Sequence, residues 1–249
     1  MPLFHPTEPS FNHNGNGMKR IPLTPEELEY RKQGVLSPKM SDITWRIFRI
    51  MAEFVEGFQF LSTLDREVTI FGSARVAPDS KWYREAEKLG ALLAKGKFTT
   101  VTGGGPGIME ACNKGAFQAG GNSVGLNIQL PHEQRINPYV KVSRAFYYFF
   151  TRKVILAASA QAYVYFPGGF GTQDELFEIL TLIQTGKSEK IPVILVGKEY
   201  WGAWLRFVEE MLFEKYETIA KKDMDLFQIV DTAEAAMAII KTSKDRSFF

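Results

Sequence analysis

Short apolar runs alternate with amphipathic stretches along the chain from residue 67 onward. The apolar runs are rich in β-branched and aromatic residues and span 68–72, 98–102, 122–128, 162–166, 191–197 and 227–230. Helical periodicity fills the intervals, at residues 80–96, 108–121, 144–159, 174–187, 200–216 and 232–241. Strands that alternate with helices of this length predict right-handed crossovers and a mostly parallel sheet. We therefore predict an α/β fold with a doubly wound sheet over residues 67–249.

The first 66 residues follow a different pattern. Residues 1–20 are rich in Pro, Asn and Gly and lack an apolar segment, which predicts a disordered arm and no secretory signal. Residues 21–66 predict a helical extension, with a short helix at 24–27 and a long amphipathic helix from Ser41 to Leu64. Apolar residues recur on one face of the long helix, at Ile47, Met51, Phe54, Phe58 and Leu61. We expect this face to pack against the main domain, and a subunit interface is the alternative.

Composition and charge narrow the classes of partner. The net charge of +2 gives no indication of a nucleic-acid partner, and no apolar run is long enough to span a membrane. A single cysteine, Cys112, excludes an internal disulfide and predicts a reducing, cytoplasmic location. We interpret Cys112 as a small buried residue. The histidines have no partners at ligand spacing, so no metal is expected at His5, His13 or His132.

Three predicted strands end in loops that lead directly into helices. These loops are FGSAR (71–75), TGGGPG (102–107) and FPGGFGT (166–172). Ligands bind open parallel sheets beyond the carboxyl ends of the strands. Glycine allows close approach of the backbone to a ligand, and helix N-termini offer free N–H groups with a partial positive charge. The loops predict an anion site, most simply for phosphate, although each could also be a tight turn only.

Two common nucleotide-binding motifs are absent. Gly103 and Gly105 begin a dinucleotide-binding pattern, but Ile108 occupies the place of its third glycine. Gly186, Lys187 and Ser188 match the last three residues of the P-loop motif, but Thr181 occupies the position of its first glycine. The sequence therefore argues against NAD and ATP chemistry and leaves a mononucleotide or a sugar phosphate as the ligand.

Acids and basic residues near the loops are the candidates for chemistry. Glu110 follows TGGGPG, and Asp174 and Glu175 begin the helix after PGGFGT. Arg152 and Lys153 lie on an apolar predicted helix, where a basic residue needs an ionic partner or a water-filled cleft. Both possibilities are open for this pair.

Arg152 and Glu175 together suggest one reaction class. Cleavage of an N-glycosidic bond passes through an oxocarbenium-like sugar, which a carboxylate can stabilise while arginine holds phosphate or ribose oxygens. Thr172 and Glu175 also fit the capping box of a helix start, in which the carboxylate turns back to the Thr172 N–H. The two uses of Glu175 exclude each other in geometry. We expect Glu175 to face the cleft.

The runs TGGGPGIMEACNKGA, TRK and PGGFGTQDE resemble the LONELY GUY family of Rossmann-like proteins. The family marker P-G-G-x-G-T-x-x-E is matched in full from Pro167 to Glu175, and the resemblance covers residues 67–218. It implies hydrolysis of a nucleoside 5′-monophosphate, AMP or a cytokinin riboside monophosphate, to free base and ribose 5-phosphate without a cofactor. It implies that Arg152 and Glu175 are catalytic. It also implies nucleotide binding by Gly103, Gly104, Gly105, Gly107, Gly168, Gly169, Phe170, Gly171 and Thr172.

The resemblance also concerns assembly, but it does not define the pocket for the base. Members form dimers or assemblies of dimers, which implies a homo-oligomer here. The first strand ends in FGSAR where short members have a Cys-Gly-Ser-Ser run, and the extra N-terminal residues resemble a longer bacterial branch. Further possible substrate contacts are Ser73, Arg75, Glu110, Lys153 and Asp174.

Two other functions are compatible with the same loops. Relatives on a similar fold carry molybdenum cofactor without hydrolysing nucleotides, so a non-catalytic nucleotide-binding or cofactor-carrier protein is an alternative. The family is also labelled as lysine decarboxylase, an activity that needs a lysine bound to pyridoxal phosphate. Lys153 is the lysine nearest the motifs.

Overall fold

The computed structural model describes residues 38–129, 136–158 and 160–243. The predicted arm at 1–20, the short helix at 24–27 and the three histidines lie outside these residues. The chain divides into two units, with the boundary between Arg49 and Ile50.

Helices and strands alternate through the second unit. The strands are β1 (Glu67–Phe71), β2 (Thr99–Thr102), β3 (Ser123–Ile128), β4 (Val142–Phe146), β5 (Ala162–Tyr165), β6 (Val193–Val196) and β7 (Gln228–Val230). The α-helices are α1 (Pro38–Leu61), α2 (Lys81–Lys95), α3 (Ile108–Gln118), α4 (Phe149–Ala158), α5 (Phe170–Gln184), α6 (Lys198–Phe207) and α7 (Ala233–Ile240). A π-helical segment, Val208–Lys215, continues α6, and a 3₁₀ helix covers Lys221–Leu226.

The strands form one parallel sheet in the order β4-β3-β2-β1-β5-β6-β7. The chain moves outward from β1 to β4 and then returns to place β5 on the other side of β1. The strand order therefore reverses between β1 and β5, which is where parallel sheets of this kind bind ligands. The doubly wound, mostly parallel α/β fold predicted from the sequence is confirmed.

Apolar side chains cover both faces of the sheet. Val68, Ile70 and Val164 pack on one face with residues of α2, α3 and α7. Tyr163 and Tyr165 pack on the other face, in a cluster that includes residues of α4, α5 and α6. Strands β5 and β6 are continuous runs of apolar and aromatic residues, as expected for strands buried on both faces, whereas β2 is buried but mostly threonine.

The prediction of one helix over 144–159 is wrong in its first part. Residues Val142–Phe146 form β4, which pairs with β3 at the edge of the sheet, and α4 begins only at Phe149. Phe146 is the buried residue of this edge strand, so the strand lacks the apolar pattern of the central ones. Its aromatic end continues directly into the helix, which made the two elements look like one.

The long N-terminal helix is confirmed, and its packing is confirmed only in part. Leu61 is buried, and Phe54 and Phe58 pack at the edge of the core. Met51 is more than half exposed, so the expectation that the whole apolar face packs against the main domain is wrong for this residue.

Candidate active site at the carboxyl edge of the sheet

A cleft of about 860 Å³ opens where the strand order reverses. The loops after β1, β2 and β5 form its walls, together with side chains of α4, α5 and α6. Sequence-predicted residues in the wall are Ser73, Arg75, Gly103, Arg152, Gly168, Gly169, Phe170, Gly171, Thr172 and Glu175. The structure thus brings together three loops that are far apart in the sequence, as parallel strands that end at one edge require.

Backbone hydrogen bonds join the three loops to one another. The Ser73 N–H donates to the Pro167 carbonyl at 3.0 Å, and the Ile108 N–H donates to the Ser73 carbonyl at 3.1 Å. Gly107 has a φ of +69°, and a Cβ there would lie 2.4 Å from the Ser73 carbonyl oxygen. Only glycine fits this position. The loops form one rigid edge around the cleft.

The N-terminus of α5 lies in the cleft wall and has no side-chain cap. Gly169 is the N-cap residue, and the first intrahelical bond runs from the Gln173 N–H to the Gly169 carbonyl at 3.1 Å. The N–H groups of Phe170, Gly171 and Thr172 consequently have no acceptor within the helix. The capping box that Thr172 and Glu175 also fit in the sequence is not formed, because the helix starts earlier and Thr172 already lies in its first turn.

Gly168 allows the loop to close tightly over the helix. A Cβ at this position would lie 2.1 Å from Thr172 Oγ1, whereas a Cβ at Gly169 or Gly171 would meet nothing within 4 Å. The space beside the N–H groups of the first turn is therefore open. Such a helix end binds anions such as phosphate.

Glu175 lies in the cleft wall with only 9% of its surface exposed. Burial raises the pKa of its carboxyl group to about 7, and the positive charges of Arg152 and Lys153 oppose that rise. The Glu175 backbone carbonyl accepts a hydrogen bond from the Tyr165 hydroxyl at 3.2 Å. Near neutral pH, the carboxyl group can either accept or release a proton.

Arg152 extends from α4 into the same cleft. Burial lowers the pKa of its guanidinium group, and the charge of Glu175 opposes this effect. A Cβ at Gly103 would lie 3.5 Å from Arg152 Nη1, an ordinary contact distance, so the Arg152 guanidinium lies directly beside this glycine. Arg152 Nε has no acceptor among the described residues. The guanidinium therefore retains hydrogen-bonding capacity that a ligand can use.

Several sequence-predicted residues lie outside the cleft wall. Lys153 Nζ pairs with Asp174 Oδ2 at 2.7 Å and with Glu178 Oε2 at 3.3 Å. Desolvation works against its charge, but these carboxylates and Glu175 together raise the Lys153 pKa. Glu110 accepts a hydrogen bond from the Tyr83 hydroxyl at 3.2 Å.

The middle of the TGGGPG loop is held from behind by a buried polar network. Asn137 Nδ2 donates to the carbonyl oxygens of Gly104 and Gly105 at 3.1 and 3.0 Å, and to Asn113 Oδ1 at 3.0 Å. The Thr102 hydroxyl donates to the same Asn113 oxygen at 2.6 Å. Gly104 and Gly105 thus lie outside the cleft wall, and the network fixes the loop whose Gly103 borders it.

Sequence reasoning missed Tyr200 in the first turns of α6. Its hydroxyl donates to the Gly168 carbonyl and accepts from Gln173 Nε2 at 3.2 Å. Tyr200 follows β6, whose carboxyl end lies at the same edge of the sheet. The sequence did contain a signal for it, because an aromatic residue lies three positions after Gly197, the glycine that follows β6.

Metal binding, membrane insertion and cysteine chemistry are not supported by the described residues. Residues 38–129, 136–158 and 160–243 contain no group of three or more His, Cys, Asp or Glu side chains that could hold a metal ion. No helix in these ranges is long and apolar enough to cross a membrane. Cys112 is fully buried, as predicted, and burial raises the pKa of its thiol, so its reactive thiolate is disfavoured.

Named relatives match most of this chain. The chain is 28% identical over 188 residues to the cytokinin riboside 5′-monophosphate phosphoribohydrolase of Rhodococcoides fascians, covering 71% of this chain and 90% of the relative. It is 26% identical over 184 residues to a cytokinin riboside 5′-monophosphate phosphoribohydrolase of Arabidopsis thaliana, covering 72% and 83%. The molybdenum cofactor carrier protein of Chlamydomonas reinhardtii superposes with a TM-score of 0.54 at 22% identity, covering 71% and 96%. This last likeness shows a shared fold only.

A family model also matches directly, over residues 109–240, and its description is "Possible lysine decarboxylase". The matched segment contains α3 except for its first residue, and all of the helix of Arg152, the PGGFGT loop and Glu175. Because it spans more than half of the chain, the protein belongs to this "Possible lysine decarboxylase" family.

Proposed function

We propose that this protein hydrolyses the N-glycosidic bond of a nucleoside 5′-monophosphate, AMP or a cytokinin riboside monophosphate, to free base and ribose 5-phosphate. One observation is the main support. A buried carboxyl group with a pKa of about 7, Glu175, shares a cleft with Arg152 and with the uncapped N-terminus of α5. The relatives named for this reaction support the same assignment.

In this proposal the phosphate binds at the N-terminus of α5. The N–H groups of Phe170, Gly171 and Thr172 donate to its oxygens, and the helix dipole favours its negative charge. Ser73 and Arg75 also line the cleft and are candidates for further polar contacts. A phosphate held there places the sugar near the next turn of the same helix, which contains Glu175.

Glu175 and Arg152 then act on the sugar. As the bond to the base breaks, positive charge develops at the ribose, and the ionised Glu175 carboxylate stabilises it. The same carboxylate takes a proton from the attacking water, and the departing base takes up a proton in turn. Arg152 holds phosphate or ribose oxygens, which fixes the geometry and balances the charge of Glu175. The reaction needs neither a covalent nucleophile nor a metal.

The family description would require different chemistry, and the residues do not fit it. A decarboxylase of this type needs an uncharged lysine that forms a Schiff base with pyridoxal phosphate. Lys153 instead pairs with Asp174 and Glu178, and its pKa is raised rather than lowered. A lysine held in its charged form is a poor nucleophile.

A homodimer and a cytoplasmic location are further parts of the proposal. Large apolar side chains are exposed on the second half of α1 and around the start of α4, at Met51, Val55, Tyr147, Phe149 and Phe150. An apolar surface of this kind is typical of a subunit interface. The free, buried Cys112 thiol is compatible with a reducing compartment.

The release of free base tests the reaction. Purified protein is incubated with AMP, with isopentenyladenosine monophosphate and with adenosine, and the base is quantified by chromatography. We expect base from at least one monophosphate and at least about a hundredfold less from adenosine, because adenosine cannot use the anion site. A protein that binds the monophosphates but releases no base from either would be a nucleotide-binding or cofactor-carrier protein.

A further inference from the structure

The N-terminal helix α1 contacts the start of α4, the helix that contains Arg152. Glu53 Oε1 accepts a hydrogen bond from the Tyr147 N–H at 2.6 Å. Its other oxygen accepts from the Tyr148 N–H at 3.3 Å and from the Thr151 hydroxyl at 2.5 Å. One carboxylate thus binds three donors at the N-terminal end of α4.

These contacts act as a cap supplied from another helix. The Tyr147 and Tyr148 N–H groups lie just before Phe149, the first residue of α4, so Glu53 anchors the segment that enters the helix. Its negative charge is also favourable at this end of the helix dipole. Glu53 approaches the end of α4 immediately before Arg152, since Thr151 is the neighbouring residue. The Tyr148 carbonyl oxygen lies 2.8 Å from the same Thr151 hydroxyl, whose single hydrogen is shared between this oxygen and Glu53, so the hydroxyl links the cap to the first turn.

Close packing holds the two helices together beside the cap. A Cβ at Gly57 would lie 2.7 Å from Ile155, so only glycine allows α1 to come this near α4. Glu56, one residue before Gly57, forms an ion pair with Arg144 of β4. The contacts of residues 53–57 extend from β4 to the second turn of α4.

We propose that Glu53 is a positioning residue for Arg152: its carboxylate fixes the first turn of α4 and so holds the guanidinium in the cleft. The inference rests on the proposed function insofar as Arg152 acts on the substrate. Glu53 lies outside the matched family segment, which begins at residue 109. The N-terminal extension therefore takes part in organising the site, although it contributes no residue to the cleft wall described above.

The reason to expect a kinetic effect is geometric. Arg152 Nε has no acceptor among the described residues, and the aromatic ring beside the guanidinium is that of Phe149, the first residue of α4. A shift of the first turn of α4 would therefore move both the guanidinium and the ring that it contacts. A shift of about 1 Å in a group that orients the substrate can reduce the rate about a hundredfold. Loss of the Glu53 cap should therefore lower kcat/KM for the monophosphate about tenfold to a hundredfold.

A double-mutant cycle tests the proposal. The four proteins are wild type, Glu53→Ala, Arg152→Ala and the double variant, each assayed with AMP. We expect Glu53→Ala to lower kcat/KM by the stated amount in the wild-type background and less than about twofold when Arg152 is already absent. Glu53→Gln, which retains one acceptor oxygen, should lie between wild type and Glu53→Ala.

Glu56→Ala is the matched control, because Glu56 lies on the same helix and its contact does not involve α4. Its kcat/KM should stay within about twofold of wild type. An equal loss from Glu53→Ala with and without Arg152, or equal effects of Glu53→Ala and Glu56→Ala, would overturn the proposal. Unchanged kcat/KM in folded Glu53→Gln and Glu53→Ala would overturn it as well.

A binding measurement separates this proposal from the proposed reaction. If wild type releases no base, the reaction is wrong, and the same four proteins are compared by AMP dissociation constant in calorimetry. Non-additive weakening by Glu53→Ala and Arg152→Ala would still support the positioning role. Additive weakening, or none from Glu53→Ala, would contradict it.

Discussion

Near neutral pH, Glu175 lies close to the midpoint of its titration, because burial disfavours its charge and Arg152 favours it. A carboxyl group in the open would be ionised throughout this range. The single residue thus has the property that general acid–base catalysis requires, a pKa close to the working pH. The sequence suggested that Arg152 and Glu175 act together and also allowed a helix cap for the same glutamate, but it could not show the burial that raises this pKa.

The pH dependence of the reaction follows from that pKa. The ionised carboxylate is the active form in the proposed mechanism, so kcat/KM should rise with pH and reach half of its plateau near pH 7. Rates measured from pH 5 to 9 test this. Glu178 adds negative charge near Glu175, so Glu178→Gln should keep the rise and move its midpoint slightly lower. A midpoint below pH 5, or a rate that falls as pH increases, would exclude Glu175 as the base.

At the scale of elements, the start of α5 combines a tight loop with an open face. The sequence predicted the loop, the helix and the anion site, because glycines after a strand have few structural uses. It placed the start of the helix four residues too late, since Gly171 and Thr172 are not typical of a helix interior. It also merged β4 with α4, because an edge strand lacks the continuous apolar run of a buried one.

Substitution of Gly168 and of Gly171 by alanine should change the unfolding free energy in opposite directions. Gly171→Ala adds a methyl group in open space within a helix, so we expect a gain of about 0.5–1 kcal/mol in unfolding free energy but weaker AMP binding. Gly168→Ala forces a contact with Thr172 and should lower the unfolding free energy by about 1–3 kcal/mol. Denaturant unfolding and calorimetry measure both. If Gly171→Ala binds AMP as wild type does, the phosphate does not sit on this helix end.

In the whole molecule, the main domain and the N-terminal extension have different roles. We propose that residues 67–249 form the nucleotide-binding domain and that residues 21–66 are an extension. The described part of that extension from Ile50 onward packs on the domain and caps α4 through Glu53. A sequence pattern could predict the amphipathic helix but not this contact. Glu53 and Thr151 are 98 residues apart in the sequence, and only the tertiary fold brings them together.

The exposed apolar surface predicts self-association. The chain has a mass of 28.2 kDa, and sedimentation analysis should give about twice this value. Val55 is more than half exposed on α1, so Val55→Glu should shift the equilibrium toward the monomer without loss of fold. An exchange of Lys95, a residue of α2, for Glu is the matched control. A monomer at all concentrations would contradict the homodimer.

The identity of the products formed from AMP tests the central claim most directly. Wild-type protein at pH 8 should yield adenine and ribose 5-phosphate in equal amounts, with no adenosine or inorganic phosphate. Glu175→Gln retains the shape of the side chain and removes its charge, and it should release adenine at least about a hundredfold more slowly. The proposed reaction would be contradicted if wild type released no base from AMP or a cytokinin riboside monophosphate, or if Glu175→Gln released adenine as fast as wild type.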